Sequence, residues 1–165
     1  KVFAADEHDP AIAARLFDEV LASTLNVVTL YTRHAQAVVD QLRVFARRTA
    51  QTIYFFLPDT GLTSLREDDI VVPGSKRLLD AVKQISLTPH FGVYVFLNVG
   101  ESLTSPLVAQ LRTFSRLRTA GAERRVVLLE EKLDLPASLG DHCQHLLHQP
   151  RSAGRVRLRD GRWVR

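Results

Sequence analysis

The chain has 165 residues, 45% hydrophobic and 24% charged, a balance that supports one globular core and argues against both a disordered chain and two separate large domains. A single cysteine, Cys143, excludes an internal disulfide, and no apolar run approaches the ~18 residues that cross a bilayer as a helix. Much of the formal charge of +4 comes from the end of the chain, "RSAGRVRLRDGRWVR", where Arg151, Arg155, Arg157, Arg159, Arg162 and Arg165 face only Asp160. The body is therefore close to neutral.

These features fit a soluble protein of the reducing cytosol. The opening "KVFAADEHDP" lacks the apolar centre of a secretion signal. A start at Lys1 and the absence of Met imply a piece of a longer protein.

Asp9 followed by Pro10 signals a helix start, with Ile12, Leu16 and Val20 on one face through about Thr24. "NVVTLYT" (26–32) is a β-branched and aromatic run too short for a helix, and reads as a buried strand. Over 33–50, Ala35, Val38, Val39, Leu42, Phe45 and Ala46 recur at helical spacing. "TIYFFLP" is a second buried strand ended by Pro58, and 59–74 is expected to be a long irregular loop. Ser75 is expected to cap a helix carrying Leu78, Leu79, Val82 and Ile85, before a third strand at 91–97. Ser105 and Pro106 open a helix with Leu107, Leu111, Phe114 and Leu117, which Gly121 should end. "RRVVLLE" (124–130) is a fourth strand, Pro136 starts a short helical turn, and "CQHLLHQ" (143–149) reads as a half-exposed edge strand.

Strands that alternate with helices and are apolar on both sides predict an α/β fold. The expectation is three layers: a parallel sheet of about five strands with helices on both faces, spanning 1–150. Residues 151–165 alternate about Asp160-Gly161, which predicts an Arg-rich β-hairpin or the start of a following domain.

A phosphate-binding loop needs glycines after the first strand, with a Lys and a Ser or Thr reaching phosphate and magnesium. After "NVVTLYT" the chain reads "RHAQAVV", with neither glycine nor lysine. "VVPGSKRLL" has Gly74 and Lys76 but not the rest of the motif. Where the third strand would present a magnesium-holding carboxylate it has Asn98, and Glu101 lies beyond it. Glu130 and Glu131, ending the fourth strand, have the chemistry to hold a metal or activate water, but with no second motif beside them they read first as solvated residues at a strand's carboxyl end.

His142, Cys143, His145 and His148 are metal-ligand types suited to zinc, yet on a strand 143 and 145 face one way while 142 and 148 face the other. They remain weak candidates, and no metal or other cofactor is expected. In the tail, Arg151 with Arg155 and Arg157 with Asp160 match short pieces of cyclic-di-GMP sites, so Arg151, Arg155, Arg157, Arg159 and Asp160 are the candidate anion-binding residues. Nucleic acid is disfavoured as a partner because Trp163 alone is a thin stacking platform.

The order of elements, with "FGVYVFLNVGESLTSPLVAQLRTFSRL" and "RRVVLLEEKLDLPASLGDHCQHLLHQP", resembles the amino-terminal, P-loop-less RecA-like domain that precedes the active ATPase module in some bacterial and plastid AAA+ proteins. "LDLP" is the sharpest match, while Asn98 and the Arg-rich tail depart from the pattern. The resemblance implies a degenerate nucleotide-binding fold used for contacts with a protein partner or neighbouring domain, without catalytic residues. It also implies that "FGVYVFL" lies mid-sheet between "NVVTLYT" and "TIYFFL", with "RRVVLLE" beside "NVVTLYT". A binding module for an anionic nucleotide is the second reading. An active NTPase is disfavoured by the missing glycines.

Overall fold

The computed structural model describes residues 1–6, 8–118, 123–132 and 134–150. Its strands are β1 (Val2–Ala4), β2 (Val27–Tyr31), β3 (Ile53–Leu57), β4 (Gly61–Ser64), β5 (Gly92–Leu97), β6 (Arg124–Glu130) and β7 (Gln144–Gln149). The helices are α1 (Ala11–Ala22), α2 (Ala35–Thr49), α3 (Leu78–Leu87), α4 (Ser105–Ser115) and α5 (Ala137–Gly140). The strands form one sheet in the order β1-β7-β2-β6-β5-β3-β4, parallel except for β4, which runs antiparallel to β3.

Chain direction explains the layers. The steps β1 to β2 and β2 to β3 move one way across the sheet, whereas the later steps to β5, β6 and β7 move the other way. Right-handed crossovers place the two sets of helices on opposite faces. One core cluster accordingly joins α1 and α2 to Val28, Leu30, Val93, Val95, Val127 and Leu129. The other joins α3, α4 and α5 to Tyr94, Phe96, Val126 and Leu128. Alternate residues of β5 and β6 thus serve different cores, which is why both strands are apolar throughout.

Local chemistry sets several boundaries. Asp9 accepts the Ala11 N–H at 2.9 Å and opens α1 as anticipated. Thr104 caps α4, accepting from the Leu107 N–H, with Pro106 in the first turn. Gly92 is required because a Cβ there would lie 2.8 Å from the Tyr94 hydroxyl. The Tyr94 ring in turn stacks on Tyr54, its register partner on β3, at 5.2 Å between centroids.

Five expectations need correction. The sheet has seven strands among the described residues, not about five. The segment 59–74 is not wholly irregular: β4 forms there, and 70–72 bond back to it through Ser64 N–H to Ile70 O and Val72 N–H to Leu62 O. Ser75 caps no helix; its buried hydroxyl accepts the Leu62 N–H at 2.9 Å and donates to Val72 O, tying the loop to β4. β5 pairs with β3 as expected but with β6 on its other side, since β6 lies between it and β2. Apolar runs on both faces identify interior strands without ordering them; the single-strand steps through α3 and α4 do. Finally, β7 is no edge strand, because β1 covers its outer side. Gly121 and the predicted hairpin at 151–165 lie outside the described residues.

The paired arginines that begin β6 close the helices of both layers. Arg124 donates to Ile85 O and Ser86 O at the end of α3, and Arg125 donates to Val20 O and Ser23 O at the end of α1. Successive strand residues point to opposite faces, so each guanidinium meets the carbonyl-rich, electronegative end of the helix on its own side.

Candidate functional site

The connection after β2 leads to α2 on one face, while that after β6 leads to α5 on the other. Such a divergence opens a crevice at the strands' carboxyl ends, where open α/β sheets bind ligands. A cavity of about 870 Å³ lies there among Tyr31, Arg33, His34, Lys132, Leu147 and Pro150, and a smaller one of about 260 Å³ among Asn98, Glu101, Glu130, Glu131 and Asp134.

The β2–α2 connection consists of Thr32, Arg33 and His34. A phosphate cradle of the P-loop type takes about eight residues, G-x-x-x-x-G-K-[ST], to expose its backbone N–H groups. Here the turn is tight and already bonded. Thr32 Oγ1 accepts the His34 N–H at 3.0 Å and lies 2.6 Å from His148 Nδ1, while His148 Nε2 lies 2.9 Å from Ala5 O. A carbonyl only accepts, so Nε2 carries the proton, and Nδ1 accepts from the Thr32 hydroxyl. The result is a continuous chain of donors from α2 to the exit of β1.

Glu130, 2% exposed, does not face the cavity as a free carboxylate. Its Oε2 accepts the Val99 N–H at 2.9 Å and its Oε1 the Gly100 N–H at 3.0 Å. Burial pushes its pKa above the ordinary value, the two N–H bonds pull it down, and Asp134 pushes it up. A Cβ on Gly100 would meet Glu130 Oε1 at 2.8 Å and Asp134 Oδ1 at 3.0 Å, so only glycine lets the carboxylates approach this turn. Asn98, at φ 50°, holds the next residue of β6's exit: its Oδ1 accepts the Glu131 N–H at 3.0 Å and its Nδ2 donates to the Glu131 carboxylate. Lys132 pairs loosely with Glu101 at 3.4 Å, both exposed. The loops after β5 and β6 are thus locked to each other by the residue types that the sequence marked for metal chemistry.

The remaining sequence candidates separate. His145 Nε2 lies 2.7 Å from Gly140 O and its Nδ1 2.6 Å from Thr29 Oγ1, so both of its nitrogens are engaged, like those of His148 on the opposite face. Cys143 is buried against Leu139 O, its thiol pushed up to about 12 by burial, which makes it neither nucleophile nor ready ligand. His142 accepts from Arg116 near the opposite end of the sheet. Among the described residues no group of three or more His, Cys, Asp or Glu could hold a metal ion. Gly74 and Lys76 sit beside β4, beyond β3 and β5 from the crevice. Arg151, Arg155, Arg157, Arg159 and Asp160 lie outside the described residues.

The Thr–His pairs were missed, although a signal existed: Thr29 and Thr32 share a spacing of three with His145 and His148, and Thr29 is the register partner of His145.

The sheet order, the two helical layers and the carboxyl-end crevice define a RecA-like α/β domain. Residues 13–147 match the family model of the SpoVK-like AAA ATPase, N-terminal domain, and the chain belongs to that family. Searches of curated proteins and of solved structures found no match. By family it is a domain of AAA proteins, and no helix among its described residues is long and apolar enough to cross a membrane.

Proposed function

We propose that this domain is a non-catalytic interaction or regulatory domain of a larger AAA protein, built on a nucleotide-binding fold whose phosphate site has closed. The observation that carries the reading is the three-residue β2–α2 turn, whose Thr32 hydroxyl is committed to His34 and His148. Supporting it, both oxygens of Glu130 are taken by backbone N–H groups, so the buried carboxylate at the end of β6 is engaged by the fold rather than presented to the crevice. The crevice then serves contacts with a protein partner or neighbouring domain.

The test is the melting temperature of the chain with and without magnesium-ATP. A ligand at about a thousand times its Kd would stabilise the fold by about 4 kcal/mol. The expected shift is none, and a rise of several degrees would overturn the reading. Cyclic-di-GMP without magnesium, titrated in parallel, addresses the anionic-nucleotide alternative carried by Arg151, Arg155, Arg157 and Arg159.

A further inference from the structure

The connection from β6 to β7 carries only the four-residue α5, whereas α1, α2, α3 and α4 have 10 to 15 residues each. The sheet face beside α5 is correspondingly open over β7 and β1. Val2, Leu147 and Tyr31 are register partners across β1, β7 and β2. Val2 is 56% and Leu147 46% exposed, so an apolar row meets solvent and runs into the 870 Å³ cavity. With neighbouring strands ~4.8 Å apart, the row spans roughly 10 Å.

Positive charge gathers at the inner end of this row. Glu130 is the next register partner after Tyr31, and Arg33 and Lys132 lie two residues beyond Tyr31 and Glu130. Both cations line the cavity, and among the described residues Glu131 is its one carboxylate. That carboxylate already accepts from Asn98 Nδ2. Arg33 is exposed and has no hydrogen bond or ion pair among the described residues. Lys132 holds Glu101 only loosely, at 3.4 Å with both side chains exposed. α2 begins at the same place with no acidic residue in its first turn, so its electropositive end adds to the same sign. An occupant must therefore bring apolar side chains to the row and carboxylates to its inner end, and a basic segment would set like charge against Arg33.

We infer that the crevice docks an acidic segment of a partner protein, its apolar side chains along Val2, Leu147 and Tyr31 and its carboxylates on Arg33 and Lys132. At ~3.3 Å per residue, three or four extended residues cover the row. The Arg33 guanidinium takes a carboxylate through both arms of its fork, and Lys132 exchanges Glu101 for a partner's acid. This rests on the reading of the crevice as a contact surface, and it adds the chemistry of what is contacted.

A displayed library of random dodecapeptides, selected on the whole chain, reads that chemistry directly. Selected sequences should place Asp or Glu beside Leu, Ile or Phe. A synthetic copy should bind about tenfold or more weakly to Arg33→Glu/Lys132→Glu and to Val2→Ser/Leu147→Ser, and salt should weaken it. A peptide with lysine in place of its acids should prefer Arg33→Glu/Lys132→Glu to the parent, an inversion that misfolding cannot produce. Arg155→Ala/Arg157→Ala/Arg159→Ala should leave binding unchanged. Failure to enrich any sequence, a basic or uncharged consensus, affinity indifferent to the crevice substitutions, or loss confined to the 155–159 variant overturns the inference. If magnesium-ATP raises the melting temperature and displaces the peptide, the contact-surface reading falls with it; with no such rise, the inference falls alone.

Discussion

Replacing Arg125 by methionine tests how the two helical layers are fastened to the sheet. The residue is 7% exposed, and its guanidinium donates to Val20 O at 3.2 Å, Leu21 O at 3.4 Å and Ser23 O at 3.0 Å. It also reaches Asn26 Oδ1 at 3.1 Å and Glu123 at 2.9 Å. Methionine fills the aliphatic volume but supplies no donor. Three carbonyls at the end of α1 then lose a charged partner, at about 1 kcal/mol each. The Glu123 ion pair adds little, since that carboxylate is 59% exposed. The expected loss is about 3 kcal/mol, which at a urea m-value of about 2 kcal/mol/M lowers the denaturation midpoint by about 1.5 M. Arg125→Lys, a single point donor without the planar fork, should fall between the two. A methionine variant within about 0.5 kcal/mol of the parent would show that water replaces the guanidinium there, and would refute the capping role.

Two further outcomes follow from the same structure. Ala50 ends α2 in the left-handed region at φ 58°, exposed, where a Cβ costs about 1–2 kcal/mol. Ala50→Gly should raise stability by about 0.5 kcal/mol once the looser unfolded chain is counted, read as a small rise in Tm. A fall would show that the surroundings hold the alanine without strain. Burial raises the Cys143 thiol from 9 to about 12, so the folded chain keeps a proton that the unfolded chain loses above pH 9. This contribution to stability is complete below that pH and declines as pH climbs toward 12. Cys143→Ser should flatten that part of the alkaline profile, and the native thiol should resist labelling at pH 8 until urea unfolds the chain. Rapid native labelling would contradict its burial.

Four parallel strands, β2, β3, β5 and β6, were legible as interior because runs such as "VVLL" have no hydrophilic side and belong between two layers of helices, whereas the mixed "QHLLHQ" of β7 was legible as a strand but misplaced at an edge. Their order was not legible: β2, β5 and β6 share the same pattern, and only the crossovers distinguish them. β1 and β4 escaped notice because three or four residues such as "GLTS" carry no periodicity, and their strand geometry comes from pairing with a neighbour. At the site, the absence of glycine and lysine after β2 could be read directly. What Glu130 does instead could not, since a carboxylate at a strand's end looks the same whether it faces solvent, magnesium or two backbone N–H groups. The threonine and histidine spacings become meaningful only once β2 and β7 are known to be neighbours.

The proposal that the phosphate site has closed, with Thr32, His148 and Glu130 bonded within the fold, implies that the chain does not hydrolyse a nucleotide. Phosphate release from magnesium-ATP by the purified chain, compared with Glu130→Gln, measures this most directly. The account predicts no release above buffer for either protein. Turnover by the parent chain that disappears in Glu130→Gln would contradict it, because Glu130 would then be acting on substrate rather than on Val99 and Gly100.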